Sequence, residues 1–166
     1  MLLRKSKKIG SETMIRKATA DDINEAAEIF RELHEHHIQL RPDFYRSPDA
    51  DFYCTQLAKQ LDNVFVIEDG GVIQGYATLF IDVCEDCVHI ARKRCYVDHF
   101  AVKQEFRGQG VGSKLMQFIR EYALENDCTV IELGVWYENY DAVDFYSKNG
   151  FVPRTLNLEL KLKKEK

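Results

Sequence analysis

Apolar positions along the chain follow two different periods, and together they predict an α/β protein. Apolar residues at spacings of three and four indicate helices, whereas apolar runs or strict alternation indicate strands. Pro42 interrupts the first helical stretch and Gly150 follows the last one, as is typical of helix ends. The resulting order is βααβββαβαβ, which predicts a mixed, twisted sheet flanked by helices on both faces.

The elements can be placed by residue number. The predicted strands are Ile15–Ala18, Val64–Glu68, Val72–Val83, Cys95–Val102, Val130–Val135 and a last segment made of Phe151–Val152 and Thr155–Leu162. The predicted helices run over Thr19–His37, Asp49–Leu61, Gly110–Asn126 and Asp141–Asn149. Residues 1–13 are expected to be a flexible extension, because Met14 resembles a second natural beginning, and residues 14–166 are expected to form a single domain.

Composition and charge argue against some classes of function. The chain has 166 residues, is 45% hydrophobic and 30% charged, and carries a net charge of −4. A general nucleic-acid binder usually carries a basic face, so nucleic acid is not an expected partner. No apolar run approaches the ~20 residues of a membrane span, and a cytoplasmic location is therefore expected.

Five cysteines make an odd number, which argues against a disulfide framework. Cys84, Cys87, His89 and Cys95 have ligand types that zinc accepts, but their spacing fits no common zinc module. We therefore predict free thiols and no metal, and keep a zinc-assisted role as the weaker alternative.

A glycine-rich segment begins where an apolar strand ends at Val102. Arg107-Gly108-Gln109-Gly110-Val111-Gly112 then opens an amphipathic helix. Glycines allow a tight turn, and the first helical turn offers unpaired N–H groups at the positive end of the helix dipole. Arg107 adds a guanidinium suited to phosphate oxygens. The segment is predicted to bind a pyrophosphate.

A second sequence motif lies after the glycine-rich segment, and the two motifs together are more specific than either one alone. Val135-Trp136-Tyr137-Glu138-Asn139 is followed by Ala142, by Phe145-Tyr146 and by Asn149-Gly150-Phe151. Together with the glycine loop, this block resembles the GNAT superfamily of acyl-CoA-dependent N-acetyltransferases over residues 15–162. The resemblance implies two central parallel strands that splay apart, with acetyl-CoA bound in the gap as co-substrate.

The resemblance also implies which residues bind the cofactor. The pantetheine arm would pair with Phe100–Val102 like an added strand, and Asn139 would contact it from the other splayed strand or cap the next helix. The implied cofactor-binding residues are Phe100, Ala101, Val102, Arg107, Gly108, Gln109, Gly110, Val111, Gly112, Ser113, Asn139 and Tyr146.

The reaction that the resemblance implies is direct attack of a neutral amine on the thioester. Tyr146 matches the family's proton donor to the leaving thiolate, with a plain packing role as the alternative. Asp98, acting through water, is the preferred base and His99 is the alternative, since a bulge would upset simple strand alternation.

The acceptor is expected to be a primary amine bound over the first two helices. Its identity stays open, and a homodimer is possible. The competing interpretation is a non-catalytic acyl-CoA-binding regulatory module.

Overall fold

In this computed structural model, the described residues are 7–9, 13–85, 88 and 90–162. The chain divides into two compact units, Met1–Gly134 and Val135–Lys166, which are taken in turn below. None of the helices in the described part is long and apolar enough to cross a membrane.

The first unit contains one mixed sheet. Its strands are β1 Lys7–Ile9, β2 Thr13–Lys17, β3 Val64–Asp69, β4 Val72–Cys84, β5 Arg92–Val102 and β6 Val130–Leu133, in that spatial order. Neighbouring strands are antiparallel, except that β5 and β6 are parallel. The parallel pair is possible because a helix connects the two strands.

Among the described residues of this unit, the α-helices are α1 Ile23–Leu40, α2 Phe52–Lys59 and α3 Val111–Glu125. Short 3-10 helices lie at Ala20–Asp22, Leu61–Asn63 and Gln104–Phe106. Before α1, the Asp22 carboxylate accepts a hydrogen bond from the Thr19 backbone N–H at 2.6 Å, as in a capping box. The guanidinium of Arg16 binds the same carboxylate and lowers the pKa of Asp22 to about 2.

Both faces of the sheet are covered, as the sequence predicts. On one face, Ala26, Ile29, Phe30 and Leu57 of α1 and α2 share a buried cluster with Val64, Val66, Tyr76 and Ala101. On the other face, α3 buries Leu115, Met116 and Ile119 completely. There the ring of Phe65 packs on Phe118 and Tyr122, with centroids at 5.3 and 4.9 Å. Burial of these apolar side chains is the main stabilising contribution to the fold.

All five of the predicted strands that form differ from the sequence prediction at an end, by one to three residues. β5 begins at Arg92, three residues early, and β4 ends at Cys84, so the connection between β4 and β5 is shorter than predicted. β6 ends at Leu133, two residues before the predicted end. Lys7–Ile9 pairs with β2 inside the predicted extension. The rest of that extension, residues 1–6 and 10–12, lies outside the described residues, so its predicted flexibility stays a prediction.

The second unit contains the helix α4, Tyr140–Lys148. The last predicted strand is absent from the structure, since none of residues 151–162 belongs to a strand. Alternating leucines provide the side-chain pattern of a strand, but a strand also needs a hydrogen-bonded neighbour, and the pairings of the described residues include none for this segment.

Candidate active site

The parallel strands β5 and β6 stay paired over only four positions. The register runs from Arg94 opposite Val130 to Val97 opposite Leu133. Beyond Val97, β5 continues to Val102 without a partner from β6 among the described residues, while β4 still pairs with its other side. The predicted splay is thus confirmed. On the side of β5 that faces away from β4, main-chain groups of this stretch face the gap, where an extended ligand arm could pair with them.

The glycine loop follows directly from β5. Gly108 and Gly110 have φ angles of 74° and 82°, in the left-handed region. A Cβ atom at either position would meet no atom within 4 Å. These two glycines are therefore required by backbone conformation and not by crowding, and the loop stays open to a ligand.

The start of α3 supplies the donors of this loop. Its first intrahelical bond runs from the Lys114 N–H to the Gly110 carbonyl, at 3.1 Å. The N–H groups of residues 111–113 precede that bond and have no acceptor within the helix. Val111 is buried and fixes the helix start, whereas Gly110 and Ser113 are exposed. The positive end of the dipole of this 15-residue helix lies at the same place. Together these features form an anion-binding site.

Two side chains brace the loop. Arg107 donates a hydrogen bond through Nε to the carbonyl of Val102, at 2.9 Å, and so ties the loop to the end of β5. Its exposed guanidinium still presents two terminal nitrogens. Gln109 donates to the Glu105 carbonyl at 2.7 Å. The side chain of Gln109 therefore stabilises the turn, and its backbone N–H is the group that remains to bind an anion.

The strand preceding the loop contains a β-bulge. His99 pairs with Thr78 and Val97 with Leu79, so Asp98 is the extra residue between them. A bulge bends the strand and re-aims side chains, and here it overrides simple alternation. The Asp98 carboxylate lies 3.8 Å from Nε2 of His99. The two residues proposed from sequence as alternative bases are thus adjacent.

His99 lies on the face of the sheet that α1 and α2 cover. Its ring is 4.3 Å from Phe30 of α1 and 6.0 Å from Tyr76, between centroids. Burial lowers the pKa of His99, although the neighbouring Asp98 carboxylate acts in the opposite direction. Its Nδ1 atom is buried without a hydrogen-bond partner in the described structure. His99 is therefore neutral at neutral pH and able to accept a proton.

An aromatic cluster connects His99 to the first two helices. Tyr53 of α2 packs edge-on against Phe30 at 5.2 Å, and its hydroxyl lies 3.3 Å from Nδ1 of His34. In the same region the hydroxyls of Tyr76 and Thr78 are fully buried, without a partner within the described residues. Sequence reasoning missed Tyr53, Tyr76 and Thr78. The spacing of Tyr76 and Thr78 on one strand face was the available signal.

The remaining candidate metal ligands do not form a cluster in the described part of the chain. No group of three or more potential ligands occurs there, while Cys87 and His89 lie outside it. His37 stacks on Tyr45 at 5.3 Å between centroids, and burial together with the neighbouring histidines lowers the pKa of His37 to about 4. His34 and His37 therefore lie among aromatic rings.

The second unit contains Asn139 and Tyr146. The Asn139 side chain accepts a hydrogen bond from the Ala142 N–H at 3.3 Å, which confirms the predicted helix cap. The ring of Tyr146 packs between Phe145 and Phe151, at 5.5 and 5.6 Å. Burial raises the pKa of Tyr146 to about 12, so that the phenol stays protonated at neutral pH.

Several known proteins resemble this chain in sequence or in overall fold. A curated N-acetyltransferase of Archaeoglobus fulgidus, described as uncharacterized, is 32% identical over 135 residues, covering 80% of this chain and 88% of its own. The thialysine N-epsilon-acetyltransferase of Bos taurus is 27% identical over 145 residues, covering 82% of both chains. The structure of a tetramutant of the BH1408 protein from Bacillus halodurans matches with a TM-score of 0.85 at 27% identity, covering 89% of this chain and 99% of that one.

The sequence profile of the acetyltransferase (GNAT) family matches residues 18–151. This match spans the splayed strands, the glycine loop and the block around Tyr146, and it covers well over half of the chain. The chain therefore belongs to the acetyltransferase (GNAT) family, and it is an acetyltransferase.

Proposed function

We propose that the protein transfers the acetyl group of acetyl-CoA to a primary amine, by direct attack of the amine on the thioester. The observation that carries this proposal is the glycine loop at the start of α3, which follows the part of β5 that β6 does not pair. A ligand that has a pyrophosphate joined to a long amide arm fits both features at once. Coenzyme A has this chemistry.

The cofactor would be held mainly by the main chain. The N–H groups of residues 109–113 and the guanidinium of Arg107 would bind the pyrophosphate. The backbone of Phe100, Ala101 and Val102 would pair with the pantetheine arm, which places the thioester beside the bulge at Asp98. A backbone N–H of this strand would then polarise the thioester carbonyl.

Deprotonation of the amine is the first chemical requirement. An alkylamine with a pKa near 10.4 is neutral in only about one molecule in a thousand at pH 7. His99, neutral because of its burial, would accept this proton, and the adjacent Asp98 carboxylate would stabilise the imidazolium that forms. The sequence prediction preferred Asp98 acting through water, and the proposal now assigns the two side chains a joint role.

Departure of the thiolate is the second requirement. A thiol pKa near 8.5 makes CoA a tolerable leaving group, and a positioned donor improves it. Tyr146 is the family's position for that donor, and its raised pKa keeps it protonated until the thiolate forms. The proton passes from the Tyr146 hydroxyl to the sulfur and returns from solvent.

The acceptor would bind against the aromatic cluster of α1 and α2. Aromatic faces attract cationic amines, and His34, Tyr53 and Tyr76 place polar atoms among these rings. The bovine relative is named for acetylation of the ε-amine of thialysine, which supports the amine of an amino-acid side chain as the acceptor class.

Release of free CoA with a panel of primary amines, thialysine and lysine included, tests this proposal. We expect acetyl-CoA-dependent thiol release with at least one amine, an acetylated product by mass spectrometry, and a much lower kcat for Tyr146→Phe. Binding of acetyl-CoA without turnover on any amine would favour the regulatory module instead.

A further inference from the structure

Three polar atoms are buried on the face of the sheet that α1 and α2 cover. They are the hydroxyls of Tyr76 and Thr78 and the Nδ1 atom of His99, and none has a hydrogen-bond partner among the described residues. Tyr76 and Thr78 have 0% of their surface exposed. Leaving a buried polar group without a partner costs free energy, and folded proteins satisfy nearly all such groups, commonly with an enclosed water. These three atoms therefore need a partner that fits inside the fold.

The strand pairing brings the three atoms to one place. Thr78 lies directly opposite His99 in the register of β4 and β5, so their side chains share one face of the sheet. Tyr76 precedes Thr78 by two residues and lies on the same face. The rings of Tyr76 and His99 meet edge-on with their centroids 6.0 Å apart, which is a wide separation for an aromatic pair. Because these groups are closed off from solvent, the partner that suits them is a single water.

The two ring nitrogens of His99 differ in their surroundings. Nδ1 is enclosed, whereas the side chain as a whole keeps 21% of its surface exposed. Nε2 lies 3.8 Å from the Asp98 carboxylate, which is too long for a hydrogen bond. The nitrogen that an acceptor amine can reach is therefore Nε2. A neutral imidazole carries one proton, so Nε2 can accept a proton only in the tautomer that has the proton on Nδ1.

We propose that Tyr76 and Thr78 hold one enclosed water, which accepts a hydrogen bond from Nδ1–H of His99 and so fixes the tautomer in which Nε2 is free. The two hydroxyl oxygens accept the protons of this water, and a lone pair of the water accepts from Nδ1–H. The same bond persists after Nε2 has taken the proton of the amine, since both nitrogens of an imidazolium are donors.

This inference deepens the proposed function and rests on it, because it takes His99 as the group that receives the proton of the amine. Tyr76 and Thr78 are then positioning residues, which act on the reaction through the imidazole. The hydrogen bond at one ring nitrogen decides which nitrogen is available for chemistry, so two hydroxyls that never touch the substrate select the base.

The ¹⁵N chemical shifts of the His99 ring report its tautomer, and they are measured without substrate. At pH 8, about the upper end of the range in which histidines titrate, we expect a protonated Nδ1 and an unprotonated Nε2 in the wild type, with His99→Gln assigning the signals. Tyr76→Phe combined with Thr78→Val removes both hydroxyls and should shift the tautomer ratio toward Nε2–H about tenfold, the effect of one buried hydrogen bond. A wild-type ring with its proton on Nε2, or an unchanged ratio in the double variant, would overturn the proposal.

Two control variants separate this role from packing. Thr78→Ser keeps the hydroxyl and should keep the wild-type tautomer, although it removes a buried methyl group. Tyr122→Phe removes a phenol hydroxyl on the opposite face of the sheet, where Tyr122 packs on Phe65, and should leave the His99 shifts unchanged. A change in either control as large as that in the double variant would show that loosening of the core moves the tautomer, and would contradict the proposal.

A high-resolution crystal structure of the wild type tests the water itself. One water should lie within hydrogen-bond distance of Tyr76 Oη, Thr78 Oγ1 and His99 Nδ1. Density that shows no water there, or a water bound to only one of the three atoms, would overturn the bridging arrangement.

Kinetics distinguish a failure of this inference from a failure of the proposed function. With an amine that the wild type acetylates, the double variant should lower kcat about tenfold and leave the KM for acetyl-CoA within about twofold, since one buried hydrogen bond is lost away from the cofactor. Full turnover by a ring that carries its proton on Nε2 would contradict this inference and leave acetyl transfer standing. The expected tautomer in a protein that acetylates no amine would contradict the proposed function alone.

Discussion

The bulge in β5 and the glycine loop follow one another in the chain, yet they present different chemical groups to a ligand. The loop presents main-chain N–H groups on an exposed surface, and its glycines are needed for their positive φ angles. The bulge presents two side chains, Asp98 and His99, and one of them is packed among aromatic rings. In the proposed function the loop supplies cofactor affinity and the bulge supplies proton transfer. Substitutions in the two regions should therefore change different kinetic constants.

The largest effect is expected at the bulge. His99→Ala removes the proposed proton acceptor, and general-base catalysis contributes about 10²–10⁴-fold. We expect kcat to fall within this range, with little change in the KM for acetyl-CoA, as steady-state kinetics can measure. A kcat within about twofold of the wild type, with the fold intact by circular dichroism, would contradict the role of His99.

A smaller and complementary effect is expected in the loop. Gly110→Ala places a Cβ atom on a residue with φ of 82°, which costs about 1–2 kcal/mol and displaces the first amides of α3. The KM for acetyl-CoA should rise about 5–30-fold while kcat changes much less, since affinity changes tenfold for every 1.4 kcal/mol.

Gly71→Ala is the matched control for this substitution. Gly71 has φ of 83°, also with open space around its Cβ position, but it lies in the hairpin between β3 and β4. It should lower the melting temperature without raising that KM. Equal KM increases in both variants would show that general destabilisation is responsible.

The pH dependence of catalysis should also distinguish the bulge from the glycine loop. The pKa of His99 is lowered below its ordinary value of 6.5, so the base is lost only as the pH falls through that lowered value. We expect kcat/KM to decline about tenfold per unit on an acid limb whose midpoint lies below pH 6.5. Binding of CoA to the loop, measured by calorimetry, should not follow this limb. An acid limb that persists in His99→Gln would assign it to another group.

The smallest effect is expected at Arg107. This side chain is exposed and tied to the Val102 carbonyl, so its contribution to phosphate binding is screened by solvent. Arg107→Ala should raise the KM for acetyl-CoA only about three- to tenfold, and more at low salt than at high salt. Kinetics at two ionic strengths would check this, and a KM that ignores salt would remove Arg107 from the phosphate site.

The sequence predicts the loop well because its information is local. Gly108 and Gly110 indicate positive φ through residue type alone, and Val111 begins an amphipathic stripe that identifies the helix. The capping box before α1 and the cap at Asn139 are local in the same sense. These features need no knowledge of the remainder of the fold.

The bulge and the aromatic cluster could not be predicted from local sequence. Whether Asp98 is the extra residue depends on the register of β5 against β4, which is a property of two strands together. The contact of Tyr53 with His34 joins two residues that lie 19 positions apart on different helices. The type of either residue does not predict that it contacts the other. The alternating leucines after Thr155 predict a strand, but a strand forms only where a neighbouring edge is available.

The central claim is that the amides at the start of α3 bind the pyrophosphate of coenzyme A, and amide chemical shifts measure this directly. Titration of ¹⁵N-labelled protein with CoA should produce its largest shifts at residues 108–113, and dephospho-CoA, which keeps the pyrophosphate, should reproduce them. Pantetheine, which lacks it, should leave these amides unchanged while affecting residues 100–102. Shifts at residues 108–113 that are absent with CoA, or equally large with pantetheine, would contradict the account.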